Sequence, residues 1–440
     1  MNNAIYSMGR FGLGLFLVGG FFLWVQQMRA RGKLPVVIER FLGERMHYAW
    51  VGVIVGYTAL PELRDLFTES ARLAVVFFAG WFGMLVGLRL DLRNLRRVSH
   101  LPWLLEGSRG SAVALAVIIV AYITAKLLDD QGGQLPGGAL LVLAGLCVTG
   151  TMPVLRFGKR GEKRNRGVGG IPIEACLGIV LAGLGSMQLR PVPFEIAIPF
   201  APESKAIIVE SLSAQAGWSL ILGAVTGLVL DLLTRGSERL ELFYLLAGGL
   251  ALGCGIAAVL GLEPIWVGLV GGAWLINGTL RRLEILKMVD GGHALVRIGL
   301  YFSAGWLLGK GLALEGMAPG LFGWVLAMVV LLRPAARFGG NWLGMRFIGQ
   351  RGVGGGRDEG SRGLPGLGEL GLVMGAGLLV WLGQAQGNAV LAGVLVGQWI
   401  MCLGETWWPQ RGEGDETRRG KGGRSSAKRG APPPVDSPSG

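Results

Sequence analysis

Apolar runs long enough to cross a bilayer follow one another along this chain, and short connectors between them carry most of its charge. A helix needs about 20 mostly apolar residues to cross hydrocarbon. Lipid offers the backbone no hydrogen-bond partner, so a spanning segment must be a helix or part of a closed barrel. The strict alternation of a barrel strand is absent, and an all-α membrane protein is therefore expected. Composition agrees, with 51% hydrophobic and 16% charged residues among 440. The 77 glycines suit helices that pack closely, since small residues let backbones approach where lipid gives no hydrophobic drive.

About thirteen spans are expected. The first runs from Phe11 to Met28. The others are Tyr48 to Leu60, Leu73 to Leu90, Ser111 to Leu128, Gly137 to Leu155, Val168 to Leu189, Ala216 to Leu233, Leu242 to Leu260, Pro264 to Leu280, Ala294 to Leu312, Gly316 to Leu332, Leu367 to Leu382 and Asn388 to Leu403. Little charge beyond Arg10 precedes the first run, while Arg29, Arg31 and Lys33 follow it in place of a cleavage site. It reads as a retained span with its N-terminus outside.

The connectors test this arrangement, because a miscounted span would reverse the sidedness of all that follows. Four basic connectors fall on one side. They hold Arg93, Arg96 and Arg97; Lys159, Arg160, Lys163, Arg164 and Arg166; Arg281, Arg282 and Lys287; and Arg337, Arg346, Arg351 and Arg357. That side is expected to be cytoplasmic, and the C-terminus with it. Residues 1–409 form one polytopic domain in this reading, and residues 410–440 form a disordered basic tail, too polar and too rich in Gly, Ser and Pro to bury a core. A prokaryotic inner membrane is the expected location.

The net charge of +13 points to the positive-inside rule rather than to nucleic acid, since the basic residues are spread over loops and tail. Cys147, Cys176, Cys254 and Cys402 stand alone in apolar runs, and His47, His100 and His293 are scattered, so no metal or cofactor is expected. "RGVGGGRDEG", Arg351 to Gly360, lacks the strand and helix that a phosphate loop needs. No Ser, His and Asp grouping falls within the spans, and no enzyme is expected.

"FFAGWFGMLVGLRLDL", Phe77 to Leu92, is echoed by "YFSAGWLLGKGLAL", Tyr301 to Leu314. The two lie seven spans apart and would cross in opposite directions, the mark of inverted repeats in secondary transporters. The first of these stretches resembles the third span of the cation:proton antiporter family, in its branch of bacterial sodium/proton and potassium/proton exchangers. "GALLVLAGLCVTGTMPVLRFGKRGE" is similar to that family's fifth span, "GIPIEACLGIVLAGL" to its sixth, "GLYFSAGWLLGKGLAL" to its tenth and "LGELGLVMGAGLL" to its twelfth. The resemblance implies an inverted-repeat fold with two discontinuous crossing helices, a homodimer, and exchange of a monovalent cation, Na⁺ or K⁺, for protons. It also implies that Thr151 and Pro153 mark a helix that unwinds at mid-membrane. One departure stands out: aligned without a gap, Ala175 occupies the position where exchanging members usually carry an essential aspartate. No nucleotide-binding regulatory domain follows the membrane part, so the gating of potassium-exchanging relatives is not carried over.

Glu174 is the acid this reading turns on. It lies about six residues into its expected span, roughly 9 Å along the helix. A charge at mid-span costs about 2.5–3.5 kcal/mol on insertion scales and faces the bundle interior. Burial without a partner disfavours the ionised form of a carboxylate, so a lone acid can hold a proton until a cation displaces it. The hydroxyl of Thr151 and the carbonyls freed near Pro153 would complete an oxygen site beside Glu174. A single titrating acid implies electroneutral exchange; a transport-inactive scaffold or sensor that keeps the fold is the alternative. Arg297 either pairs with Glu174 or snorkels to the membrane edge. Glu369 either orients the core or is solvated at the interface, Asn277 serves as a polar ligand or an interhelical hydrogen bond, and Asp231 reads as interfacial.

Overall fold

In the computed structural model, the described residues are 12–14, 16, 18–21, 23–28, 31, 38–39, 42, 45–95, 100–128, 137–149, 173–189, 212–236, 239–348, 368–382 and 384–407. Among them every regular element is helical. After the run at 12–28 come α1 (His47–Thr58), α2 (Pro61–Gly87), α3 (His100–Leu128), α4 (Gly137–Val148), α5 (Ile173–Leu189), α6 (Leu212–Thr234) and α7 (Arg239–Val259). Then follow α8 (Pro264–Gly278), α9 (Arg282–Leu314), α10 (Pro319–Ala327), α11 (Arg333–Ile348), α12 (Gly368–Trp381) and α13 (Gln384–Trp407). A single turn, Leu92–Leu95, lies between α2 and α3. The C-terminal segment 410–440 is outside the described residues.

Six helices among the described residues are long and apolar enough to cross a membrane, and the chain is a multi-pass membrane protein. Hydropathy located the spans but cut several short. The helix α2 begins at Pro61 rather than Leu73, with proline in the first turn where its missing N–H costs no bond. Likewise α9 begins at Arg282 rather than Ala294, because a helix continues past the hydrocarbon as long as its polar residues reach water or partners.

One expected boundary is overturned. The span that should stop at Leu332 runs on: α10 passes through a π-helical turn, Met328–Leu332, directly into α11. Arg333 and Pro334 follow the expected end at Leu332, and both are accommodated in the helix. The Arg333 N–H bonds to the Met328 carbonyl in the wide π register. That widening sits where the ring of Pro334 would otherwise press on the carbonyl four residues back. The α10 and α11 helices are therefore continuous through a π-helical turn, and Arg337 lies within a helix rather than in a basic loop.

The helices sort into two bundles. In one, α1 lies along α9, α2 along α8, and α6 and α7 pack beside α8 and α2; in the other, α3, α4, α5 and α10–α13 pack together. Glycines set the first bundle. A Cβ on Gly305 of α9 would lie 2.0 Å from the Ala49 carbonyl oxygen, and one on Gly268 of α8 would lie 1.9 Å from that of Gly80. Gly83 of α2 and Gly305 of α9 make matching close approaches, each to the carbonyl that precedes a Trp-Val-Gly stretch: a Cβ would lie 2.2 Å from that of Ile265 and 2.0 Å from that of Ala49. This match is offset by three residues from the Ala-Gly-Trp echo, which pairs Gly80 with Gly305.

In the second bundle, the described helix α4 is enclosed by α3, α5 and α12, and it ends at Val148 inside protein rather than at the surface of the bundle.

Candidate functional site

Three segments meet where α4 ends. The pairing of α4 with α5 rests on glycine: a Cβ on Gly178 would lie 2.4 Å from the Thr149 Cγ2 and 2.8 Å from the Gly145 carbonyl oxygen. This contact sets the N-terminal turn of α5 beside the C-terminal end of α4. The third segment is the start of α11, which carries Arg333 and Arg337 four residues apart, on one helical face.

Glu174 lies in the first turn of α5 and is 9% exposed. Its Oε2 accepts a hydrogen bond from Nη2 of Arg337. Its Oε1 is buried and has no hydrogen-bond partner among the described residues. Both side chains are largely enclosed, so the pair is shielded from the screening that weakens surface salt bridges.

Arg333 is fully buried. Its Nε donates to the Cys147 carbonyl at 2.8 Å and its Nη2 to the Thr149 carbonyl at 2.6 Å. These oxygens belong to the last turn of α4, where unpaired carbonyls form the negative pole of the helix. The Thr149 hydroxyl turns back to donate to the Leu146 carbonyl at 2.7 Å. Thr151 and Pro153, the expected partners of Glu174, lie outside the described residues.

The pairing of Arg297 with Glu174 is not formed. Arg297, on α9 in the first bundle, makes its ion pair with Glu369 in the first turn of α12 in the second. A guanidinium at membrane depth takes the acid within reach, and Arg337 has taken the other. Glu369 is buried and joins the two bundles rather than facing solvent. Asn277 joins main chains at the ends of α2 and α8, donating to the Leu90 carbonyl at 3.0 Å and accepting from the Leu92 N–H at 3.0 Å. Asp231 is buried and pairs with Arg235 one turn further on.

Sequence reasoning missed three members of this network. Arg333 and Arg337 fell beyond the expected span end at Leu332, Arg337 in a basic connector; their spacing of four residues after an apolar run was the available signal. Glu263 precedes Pro264 and looked like a loop residue, but it is buried and accepts a hydrogen bond from the Ser186 hydroxyl of α5. Beside it Trp266 of α8 donates to the Ile179 carbonyl of α5 at 3.0 Å. These contacts tie the bundles together independently of Arg297 and Glu369.

The apolar helices and their arrangement define a polytopic membrane protein with a cation:proton antiporter-like fold. The solved structure of the sodium proton antiporter MjNhaP1 from Methanocaldococcus jannaschii at pH 8 aligns over 92% of this chain and 97% of its own, with a TM-score of 0.52 and 14% identity. An electron-microscopy map of the same antiporter aligns over 92% of this chain and 96% of its own at a TM-score of 0.49 and 16% identity. No protein-family model matches the chain, and no curated protein matches it in sequence.

Proposed function

We propose that this protein is a secondary transporter that exchanges a monovalent cation, Na⁺ or K⁺, for protons by alternating access. The observation that carries the reading is the Glu174 carboxylate, held by Arg337 through one oxygen and carrying a buried second oxygen with no hydrogen bond among the described residues. An oxygen of this kind accepts either a proton or an alkali cation, and the two compete for it. Arg337 is then the counter-ion of the unloaded carboxylate. Loaded with H⁺ or with M⁺, the carboxylate carries the same net charge, so one-for-one exchange is electroneutral. Rocking of one bundle against the other exposes the site to each side in turn, and the Arg297–Glu369 and Glu263–Ser186 contacts lie across that interface. The likeness to a sodium proton antiporter supports the architecture such a cycle needs. A homodimer in a prokaryotic inner membrane, with the N-terminus outside, completes the proposal.

Reconstituted protein tests it. A Na⁺ or K⁺ gradient should drive a pH change in proteoliposomes that is abolished in Glu174→Gln and does not respond to an imposed voltage. Voltage-dependent flux would overturn the electroneutral stoichiometry, and flux surviving in Glu174→Gln would remove Glu174 from the mechanism.

One observation speaks for a second reading, a scaffold or sensor that keeps the fold without exchange. Arg337 already compensates the charge of Glu174 from within the protein, and Ala175 beside it offers no second carboxylate. Absence of cation-driven pH change from correctly folded wild-type protein would establish that reading.

A further inference from the structure

Four close contacts of the first bundle fall into two matching sets. On α9, Gly305 and Gly309 approach the carbonyls of Ala49 and Val53 of α1, and on α2, Gly83 and Gly87 approach those of Ile265 and Leu269 of α8; a Cβ would lie 2.0, 2.2, 2.2 and 2.1 Å from the oxygen in turn. The spacing is four residues on each of the four helices, so α1 on α9 and α8 on α2 are equivalent units. This register makes Trp50 the counterpart of Trp266, each one residue past a matched carbonyl.

The two counterparts have different surroundings. Trp266 is 8% exposed, and its Nε1 donates across the bundle interface to the Ile179 carbonyl of α5 at 3.0 Å. Gly183 of α5 makes room for the indole, since a Cβ there would lie 2.0 Å from Nε1. Trp50 is 41% exposed, its indole makes no hydrogen bond among the described residues, and it meets the Trp399 ring of α13 edge-on at 6.3 Å between centroids. Beside it a cavity of about 210 Å³ separates the bundles, walled by Val53 and Leu308 on one side and by Phe322, Ala392 and Leu395 on the other.

We propose that Trp50 and Trp266 seat in the bundle interface by turns: this structure has Trp266 seated on α5, and the opposite state withdraws it and seats Trp50 in the cavity against α13. An apolar cavity gives water no partners, so a large ring from its own wall is a fitting occupant. A buried indole N–H also needs an acceptor, which Trp266 finds in the main chain of α5. Seating one ring unseats the other because the short helices are locked to α9 and α2, which pack together, and the first bundle turns as one body. The two tryptophans are positioning residues and do not touch the transported ion. The inference rests on the rocking of the bundles proposed above, but its test follows distances rather than flux, so exchange can fail with this inference intact.

The experiment uses the full chain with its four cysteines replaced by alanine and one of two reporter pairs added. Ser186→Cys with Glu263→Cys reports the α5–α8 contact, and Val53→Cys with Leu395→Cys reports the two walls of the cavity. Disulfide formation with a membrane-permeant oxidant should occur for both pairs when the tryptophans are intact. Trp266→Phe keeps the ring and removes the N–H donor; it should slow the first pair and speed the second by about fivefold, the factor that one net hydrogen bond is worth. Trp50→Ala should shift both pairs in the opposite sense, whereas a merely structural role for either ring would not give opposite signs. Any other pattern of shifts overturns the proposal. Failure of Val53→Cys and Leu395→Cys to link with both tryptophans intact overturns it without either tryptophan variant, so a variant that does not fold leaves the test decisive.

Discussion

Arg337 donates to one oxygen of Glu174 from a position five residues beyond the expected span end at Leu332, and this pair fixes α11 against the first turn of α5. Neither residue gains from the contact alone, because both charges must leave water to make it. What the pair supplies is mutual compensation at a depth where either charge by itself is costly.

That compensation is measurable. Glu174→Ala and Arg337→Ala should each destabilise the protein by about 3–5 kcal/mol, because each leaves the opposite charge buried without its partner. The double variant should lose less than the sum of the two. Thermal unfolding of all four proteins gives the coupling directly, and additive losses would mean that the pair is energetically idle.

Arg297 and Glu369 belong to different bundles, so fixing them together should arrest any cycle in which the bundles rock. In a background with Cys147, Cys176, Cys254 and Cys402 replaced by alanine, Arg297→Cys with Glu369→Cys joined by a short bifunctional thiol reagent should lose flux. Cleaving the cross-link should restore it. Full activity in quantitatively cross-linked protein would show that this interface does not move.

The helix contacts at Gly305 and Gly268 leave no room for a side chain, since the nearest carbonyl oxygen would lie 2.0 or 1.9 Å from a Cβ. Gly305→Leu and Gly268→Leu should therefore prevent accumulation of folded protein, at a cost beyond the usual 1–3 kcal/mol or so of overpacking. Gly255→Leu and Gly320→Leu are the controls, because nothing lies within 4 Å of a Cβ at either position. Fluorescence-detected size exclusion separates the two classes.

Asn277 is expected to be structural rather than a ligand, because its amide already bridges the Leu90 carbonyl and the Leu92 N–H. Asn277→Ala should lower stability by about 1–2 kcal/mol. The cation concentration giving half-maximal flux should stay unchanged. A shift in that concentration would place Asn277 at the ion instead.

The sequence by itself determined the class of structure. Hydrocarbon imposes a strict rule on every backbone group, and a run of apolar residues records that rule locally, which is why the spans and the lone acid at Glu174 were legible. The Ala-Gly-Trp echo pointed to α2 and α9 but missed their register, since close packing matches Gly83 rather than Gly80 to Gly305. Only the tertiary structure decided who neutralises whom. A buried charge is satisfied by whatever partner the packing brings near: Arg337 lies 163 residues from Glu174 in sequence, and Arg333 answers carbonyls 186 and 184 residues away. No local pattern encodes such distances, and hydropathy ends the span at Leu332, short of Arg333, because it assigns a charge the cost of an unpartnered one.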